Sequence, residues 1–267
     1  MKYTLYQVDA FTDKLFGGNP AAVIPLQEWI ADDLMQQLAL ENNLSETVFF
    51  VHAETGADYD YHIRWFTPAS EINLCGHATL ASAWVLFNKL GFDQPVIRFQ
   101  SLSGLLTVSR KEELITLDFP AWTPEPLKDF PAELAVALGF IPIKAVFKHR
   151  DFLVELESEE AVLKCQPDFV RLKRMEQKVI ITAAGSNGTD FVSRFFAPVI
   201  GIDEDPVTGS AHSQLIPYWA GKLGKTNLRA KQLSRRGGEL WCSLQGERVT
   251  MAGKCVYFMK GEIELNG

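Results

Sequence analysis

The chain is poor in cysteine, in long apolar runs, in positive charge and in glycine-rich nucleotide loops, and each shortage closes off a class of function. Only four of its 267 residues are cysteine: Cys75, Cys165, Cys242 and Cys255. They form no CxxC pair and no compact ligand cluster, which argues against a zinc site or a disulfide framework. Three of them are expected to pack as small hydrophobes; Cys75 is set apart by the Gly76-His77 that follows it. No stretch reaches the roughly 18 apolar residues of a membrane span. The opening MKYTLYQVDAF alternates like a strand and lacks a signal peptide's apolar core, so a cytoplasmic location is expected. Twenty-six Lys and Arg against 33 Asp and Glu leave a net charge of −7. That balance argues against nucleic acid as a partner. The basic cluster Arg229, Lys231, Arg235 and Arg236 reads as a solvated edge. No GxGxxG is present, and no GxSxG surrounds Ser210, which sets aside a Rossmann alternation and a serine hydrolase.

What the chain does have is an internal echo. Gly76-His77-Ala78 opens a segment ending in Lys89-Leu90-Gly91, and Gly209-Ser210-Ala211 opens one ending in Lys222-Leu223-Gly224. The offset is 133 at both ends (209 − 76 and 224 − 91). Ser101 and Gly104 answer Ser234 and Gly237 at the same spacing. Upstream, Arg64-Trp65-Phe66-Thr67-Pro68 answers Arg194-Phe195-Phe196-Ala197-Pro198. Matched Gly, Pro and Arg are more than hydrophobic periodicity. Two lobes are expected, residues 1–120 and 121–255, divided near the Pro-rich Pro120 to Pro126. A cleft between such lobes is a favoured place for a ligand.

The patterning predicts strands near 3–11, 21–26, 47–51, 59–66, 95–100, 104–109 and 114–118, with a helix over 31–43. A second helix, 77–89, is apolar nearly all round and should be enclosed. The second half repeats this order: a short helix near 131–138, strands near 144–149 and 152–156, and helices within 158–174. Strands near 178–183 and 190–197 follow, then an apolar helix over about 209–221 and strands to the end. Pro217 predicts a kink or early break in that last helix. The fold class is α+β: two pseudo-symmetric lobes, each a curled, mostly antiparallel β-barrel-like sheet around a central helix.

Both central helices start on glycine. Their first amides lack helical partners and carry partial positive charge, which suits a carboxylate or another small anion. The alternative, given less weight, is that Gly76 and Gly209 only permit close helix–strand packing. Titratable groups stand near these starts: His77; Asp205, four residues before Gly209; and Glu46, where a polar turn enters an apolar strand. Taken singly, Glu46 reads as an edge charge and His77 as a structural histidine, while Thr208 or Ser210 reads as a helix cap. Asp205 beside Glu204 is weak ground for a cation site.

At these residues the sequence resembles the phenazine-biosynthesis isomerase-like (PhzF-like) family, within the diaminopimelate epimerase superfold. The matching segments are Val8-Asp9-Ala10-Phe11-Thr12, Gly18-Asn19-Pro20-Ala21-Ala22-Val23, Asn43-Leu44-Ser45-Glu46-Thr47, Arg64-Trp65-Phe66-Thr67-Pro68, Cys75-Gly76-His77-Ala78-Thr79 and Glu204-Asp205-Pro206-Val207-Thr208-Gly209-Ser210-Ala211. The resemblance implies a C-terminal strand, about 256–267, that returns to the first lobe, and a homodimer. It implies a cofactor-independent isomerase, with no metal, moving a proton on a small cyclic or unsaturated carboxylic acid. Glu46, His77 and Asp205 match the catalytic positions. Asn19, Gly76, Thr208, Gly209 and Ser210 match the substrate-binding ones. Epimerases of this superfold use two cysteines, one at each helix start. Here Cys75 fills the first position and the second half has none. That leaves a Cys75-dependent epimerase or racemase, or a non-catalytic binding protein, as alternatives.

Overall fold

The computed structural model describes residues 1–265, which fall into two units. One comprises Met1–Asp118 with the chain from Ala252 onward, the other Phe119–Met251. The fold is mixed α and β, with curled sheet in each unit, as the patterning predicts.

The first unit opens with β1 (Lys2–Ala10), β2 (Asn19–Leu26), α1 (Asp32–Asn42), β3 (Glu46–His52), β4 (Tyr61–Phe66), β5 (Glu71–Ile72), α2 (Gly76–Lys89), β6 (Val96–Ser101), β7 (Gly104–Lys111) and β8 (Leu114–Pro120). β1 and β2 pair antiparallel, β2 and β3 parallel, β3 and β4 antiparallel, and β4 lies parallel to β6. The second unit carries β9 (Glu125–Pro126), α3 (Ala132–Ala137), β10 (Ile143–Lys148), β11 (Phe152–Leu156), α4 (Glu159–Lys164), α5 (Phe169–Arg174), β12 (Val179–Ala184) and β13 (Phe191–Ala197). It continues with β14 (Ile202–Asp205), α6 (Gly209–Leu223), β15 (Asn227–Gln232), β16 (Gly238–Gln245) and β17 (Arg248–Gly253). Its pairings repeat the first unit's: β10–β11 antiparallel, β11–β12 parallel, β12–β13 antiparallel, β13–β15 parallel. The last strand, β18 (Cys255–Glu264), runs antiparallel to β1. Residues 266 and 267 of the expected returning strand lie outside the described residues.

The repeat reaches individual hydrogen bonds. The Asp60 amide donates to the Arg98 carbonyl (2.8 Å), and the Arg98 amide returns to Asp60 Oδ2 (2.7 Å). Asp190 and Arg229 make the same exchange, both at 2.7 Å. Arg64 clasps Glu71 with Nε and Nη2 while its guanidinium lies over Phe66. Arg194 clasps Glu204 the same way and lies over Phe196. Bidentate pairs of this kind fix geometry as well as adding energy.

Each unit has its own core. Met35, Leu38 and Ala39 of α1 pack on Ala22, Ile24, Phe49 and Phe66 in the first. Val154, Val179, Ile181, Val192 and Phe196 anchor the second. α2 is buried from Gly76 to Ala83 and again at Val85, Leu86 and Phe87, the enclosure its all-round apolarity requires. Pro217 does not break α6, which runs on to Leu223. Proline withdraws the amide that the Ser213 carbonyl would accept from. That carbonyl instead accepts from the Trp122 amide at 2.8 Å, so no buried acceptor is stranded. Cys165 and Cys242 are buried, Cys255 partly so, and all four cysteines are free.

Candidate active site

In the first unit, Glu46 begins β3, and His77 is the second residue of α2. Both are almost fully buried, at 6% and 3% exposure. His77 Nε2 lies 3.0 Å from Glu46 Oε2. The contact is an ion-pair approach rather than an aligned hydrogen bond. On the opposite ring edge, Nδ1 lies 3.1 Å from Asn19 Nδ2 and 3.5 Å from Cys75 Sγ. Asn19 is held there by backbone shape. Gly18 takes a left-handed φ of 61°, and any Cβ on it would come within 2.1 Å of the Ala10 carbonyl oxygen.

Burial alone would strip His77 of charge, but its hydrogen-bond contact with the Cys75 sulfur and the charge of the Glu46 carboxylate outweigh it and hold the imidazole well above its ordinary range. Burial and the Glu46 carboxylate push the Cys75 thiol up to about 11. Cys75 is therefore a neutral thiol near pH 7, and the Glu46 carboxylate is the neighbour that favours a proton on His77. The three donor groups lie within 4.8 Å of one another. They are types that zinc accepts. His77, however, turns one nitrogen to the thiol and the other to the carboxylate, whereas a single ion takes one.

In the second unit, β14 delivers Asp205, and a short turn leads to Thr208 at the N-cap of α6. Thr208 makes no side-chain cap bond; its Oγ1 donates to Asp205 Oδ2 at 2.5 Å. Gln232 Oε1 accepts from the Thr208 amide (2.9 Å), and Gln232 Nε2 donates to the Asp205 carbonyl (2.8 Å). Gly209 and Ser210 form the first two positions of the helix, as Gly76 and His77 do in α2. Ser210 Oγ accepts from Arg150 Nη2 at 3.1 Å.

Cys75 and Thr208 are the matched N-caps, both extended and both without a side-chain cap bond. Their carbonyls receive equivalent side chains four residues on: Thr79 Oγ1 at 2.5 Å and His212 Nδ1 at 2.8 Å. The second half thus holds threonine where the first has its thiol. Two polar residues at this helix start escape sequence reasoning: Gln232 and Arg150. The only signal for them is the repeat itself, followed strand by strand.

The twice-repeated curled sheet with a central helix in each half is the epimerase-like fold, and the relatives make the chain an isomerase. The comparisons with known proteins narrow the class. The chain belongs to the phenazine biosynthesis-like protein family, which matches residues 8–261. It is 51% identical over 268 residues to an uncharacterized isomerase of Pseudomonas aeruginosa, covering 100% of both chains. A PhzF-family crystal structure from Enterococcus faecalis superposes with a TM-score of 0.94 at 48% identity, over 99% of this chain and 100% of that one. A hydroxyproline epimerase from Agrobacterium vitis shares the fold alone, with a TM-score of 0.63 at 12% identity over 98% of this chain and 92% of that one. No helix among the described residues is long and apolar enough to cross a membrane.

Proposed function

We propose that this isomerase shifts a proton within a small cyclic or unsaturated carboxylic acid, without a cofactor, using Glu46 as the base. Glu46 takes a proton from one carbon, and the C–H electrons pass into an enolate-like system. Glu46, whose carboxyl proton exchanges with solvent, then delivers a proton to a second carbon. Nothing is oxidised or reduced, and no group is lost. The observation that carries this reading is the buried Glu46 carboxylate 3.0 Å from His77 Nε2. The imidazole positions the carboxylate and offers a proton to developing oxyanion charge. Asn19, Gly76, Asp205, Thr208, Gly209 and Ser210 serve substrate binding and orientation, with Asp205 a second catalytic group. The same reading extends to a cytoplasmic homodimer.

The test is solvent exchange. Wild type and Glu46→Gln are incubated with small carboxylic acids, cyclic dienes and amino acids among them, in deuterated water. Deuterium entering carbon in wild type and not in the variant supports the reading. Equal exchange in both overturns it.

The Cys75-dependent epimerase is the second reading, favoured by the 3.5 Å approach of Cys75 Sγ to His77 Nδ1. The raised thiol weighs against Cys75 as a base. Loss of exchange in Cys75→Ala, with Glu46→Gln active, would select it.

A further inference from the structure

The strand registers place Lys178 of the second unit where the first unit has Glu46. Thr47 is flanked by Ala22 on β2 and Phe66 on β4. Val179 is flanked in the same way by Phe152 on β11 and Phe196 on β13. Phe66 and Phe196 are already matched by the arginines that cover them. Glu46 and Lys178 are each one step before the matched residue. An anion in one half of the repeat is therefore replaced by a cation in the other.

A second cation stands beside it. In the first unit, the chain at the start of β2 sends Asn19 to the second residue of α2. In the second unit, the chain at the start of β11 sends Arg150 to the second residue of α6. The register is one residue out of line between the two, but the contact is the same. Arg150 is firmly placed: Asp151 accepts from its Nε and Nη2, and Ser210 Oγ from Nη2. Its guanidinium lies 4.8 Å from the ring centre of Trp122, which stacks on His149. Nη1 makes no hydrogen bond among the described residues, and the side chain is 34% exposed. Lys178 is half-buried, and its Nζ makes no ion pair or hydrogen bond among the described residues. Burial and the charge of Arg150 lower its pKa, with Asp151 and Asp205 acting the other way. All four charges are thus close enough to interact.

Resting on the isomerase reading above, we propose that Arg150 and Lys178 are the substrate-recognition pair, binding the carboxylate of the substrate. Arg150 offers Nη1 from a fixed plane, and Lys178 supplies an ammonium without a partner. Charge-assisted bonds of this kind favour a carboxylate over an uncharged isostere. Asp151 neutralises part of the guanidinium charge, so selectivity depends on direction and on Lys178 more than on net charge. Both residues act in binding. Their loss should raise KM while leaving kcat less affected.

The probes are 2-aminobenzoate and its uncharged amide, their binding followed by ligand-observed NMR. Wild type should bind the carboxylate more tightly than the amide. Lys178→Met and Arg150→Met should each weaken carboxylate binding about tenfold with little change for the amide. Lys178→Arg and Arg150→Lys should recover part of the preference. Lys178→Met is the safer variant, since it leaves no ion pair broken, and thermal melts verify folding of all four. Unchanged preference in both Met variants overturns the proposal, as does wild type that binds the carboxylate no better than the amide. Glu46→Gln separates the two ideas, because it should keep the preference while losing proton exchange. A preference lost in Lys178→Met alongside exchange that survives Glu46→Gln would leave this pair standing and remove the proposed base.

Discussion

His77 Nε2 stands 3.0 Å from Glu46 Oε2, and both side chains are more than nine-tenths buried. A carboxylate and an imidazole so enclosed feel each other's charge through little water. On the far ring edge the Cys75 sulfur accepts from a protonated Nδ1, with Asn19 alongside. The pair is held in place by its surroundings, which is what the proposed proton transfer to and from carbon requires.

The imidazole makes stability depend on pH above neutrality. A folded-state pKa raised above the unfolded 6.5 means the native protein binds more protons once the pH exceeds that value. The stabilisation by His77 is complete below about pH 6.5 and is lost as pH rises through the folded value. Urea unfolding of wild type and His77→Gln across pH 6 to 9 should show a difference that shrinks with rising pH. A constant difference would contradict it.

His212 works in the opposite direction and in a separate window. Burial pushes it down to about 4, even though Nδ1 is held by the Thr208 carbonyl. Between pH 6.5 and 4 the unfolded chain takes up a proton that the native one refuses. Stability should therefore fall with pH by about 3 kcal/mol over that span. His212→Gln should flatten this slope. A slope unchanged in the variant would exclude His212 as its source.

Arg194 lies on β13, a strand paired with β12 on one side and with β14 and β15 on the other. It clasps Glu204 with two nitrogens and donates to the carbonyls of Val162 and Cys165. Arg194→Met leaves that carboxylate and both carbonyls without their donor. A loss of about 3 kcal/mol is expected in denaturant unfolding. A loss below about 1 kcal/mol would show that solvent serves these groups.

A double-mutant cycle asks whether Glu46 and Asp205 serve one substrate. Glu46→Gln and Asp205→Asn should each slow exchange, and together should slow it by less than the product of the two effects. Multiplicative losses would separate Asp205 from the chemistry.

The sequence already displays the elements, because apolar spacing sets each helix and strand and the repeat sets their order. Glu46 and His77 were legible only as members of a motif set, since alone each has an ordinary structural explanation. The persistence of α6 past Pro217 was not legible, because the rescuing donor is the amide of Trp122, a backbone group that no side chain announces. Arg150 and Lys178 were hidden for another reason. The offset between halves drifts from 130 at Phe66 and Phe196 to 132 at Glu46 and Lys178, and the residue type changes sign. Only strand registers bring such a pair into line.

The most direct test of Glu46 as the base is the rate at which solvent deuterium enters substrate carbon, compared in wild type and Glu46→Gln. The carboxylate account predicts a fall of at least about a hundredfold in the variant, with fold and ligand binding retained. Exchange that continues at the wild-type rate would contradict it.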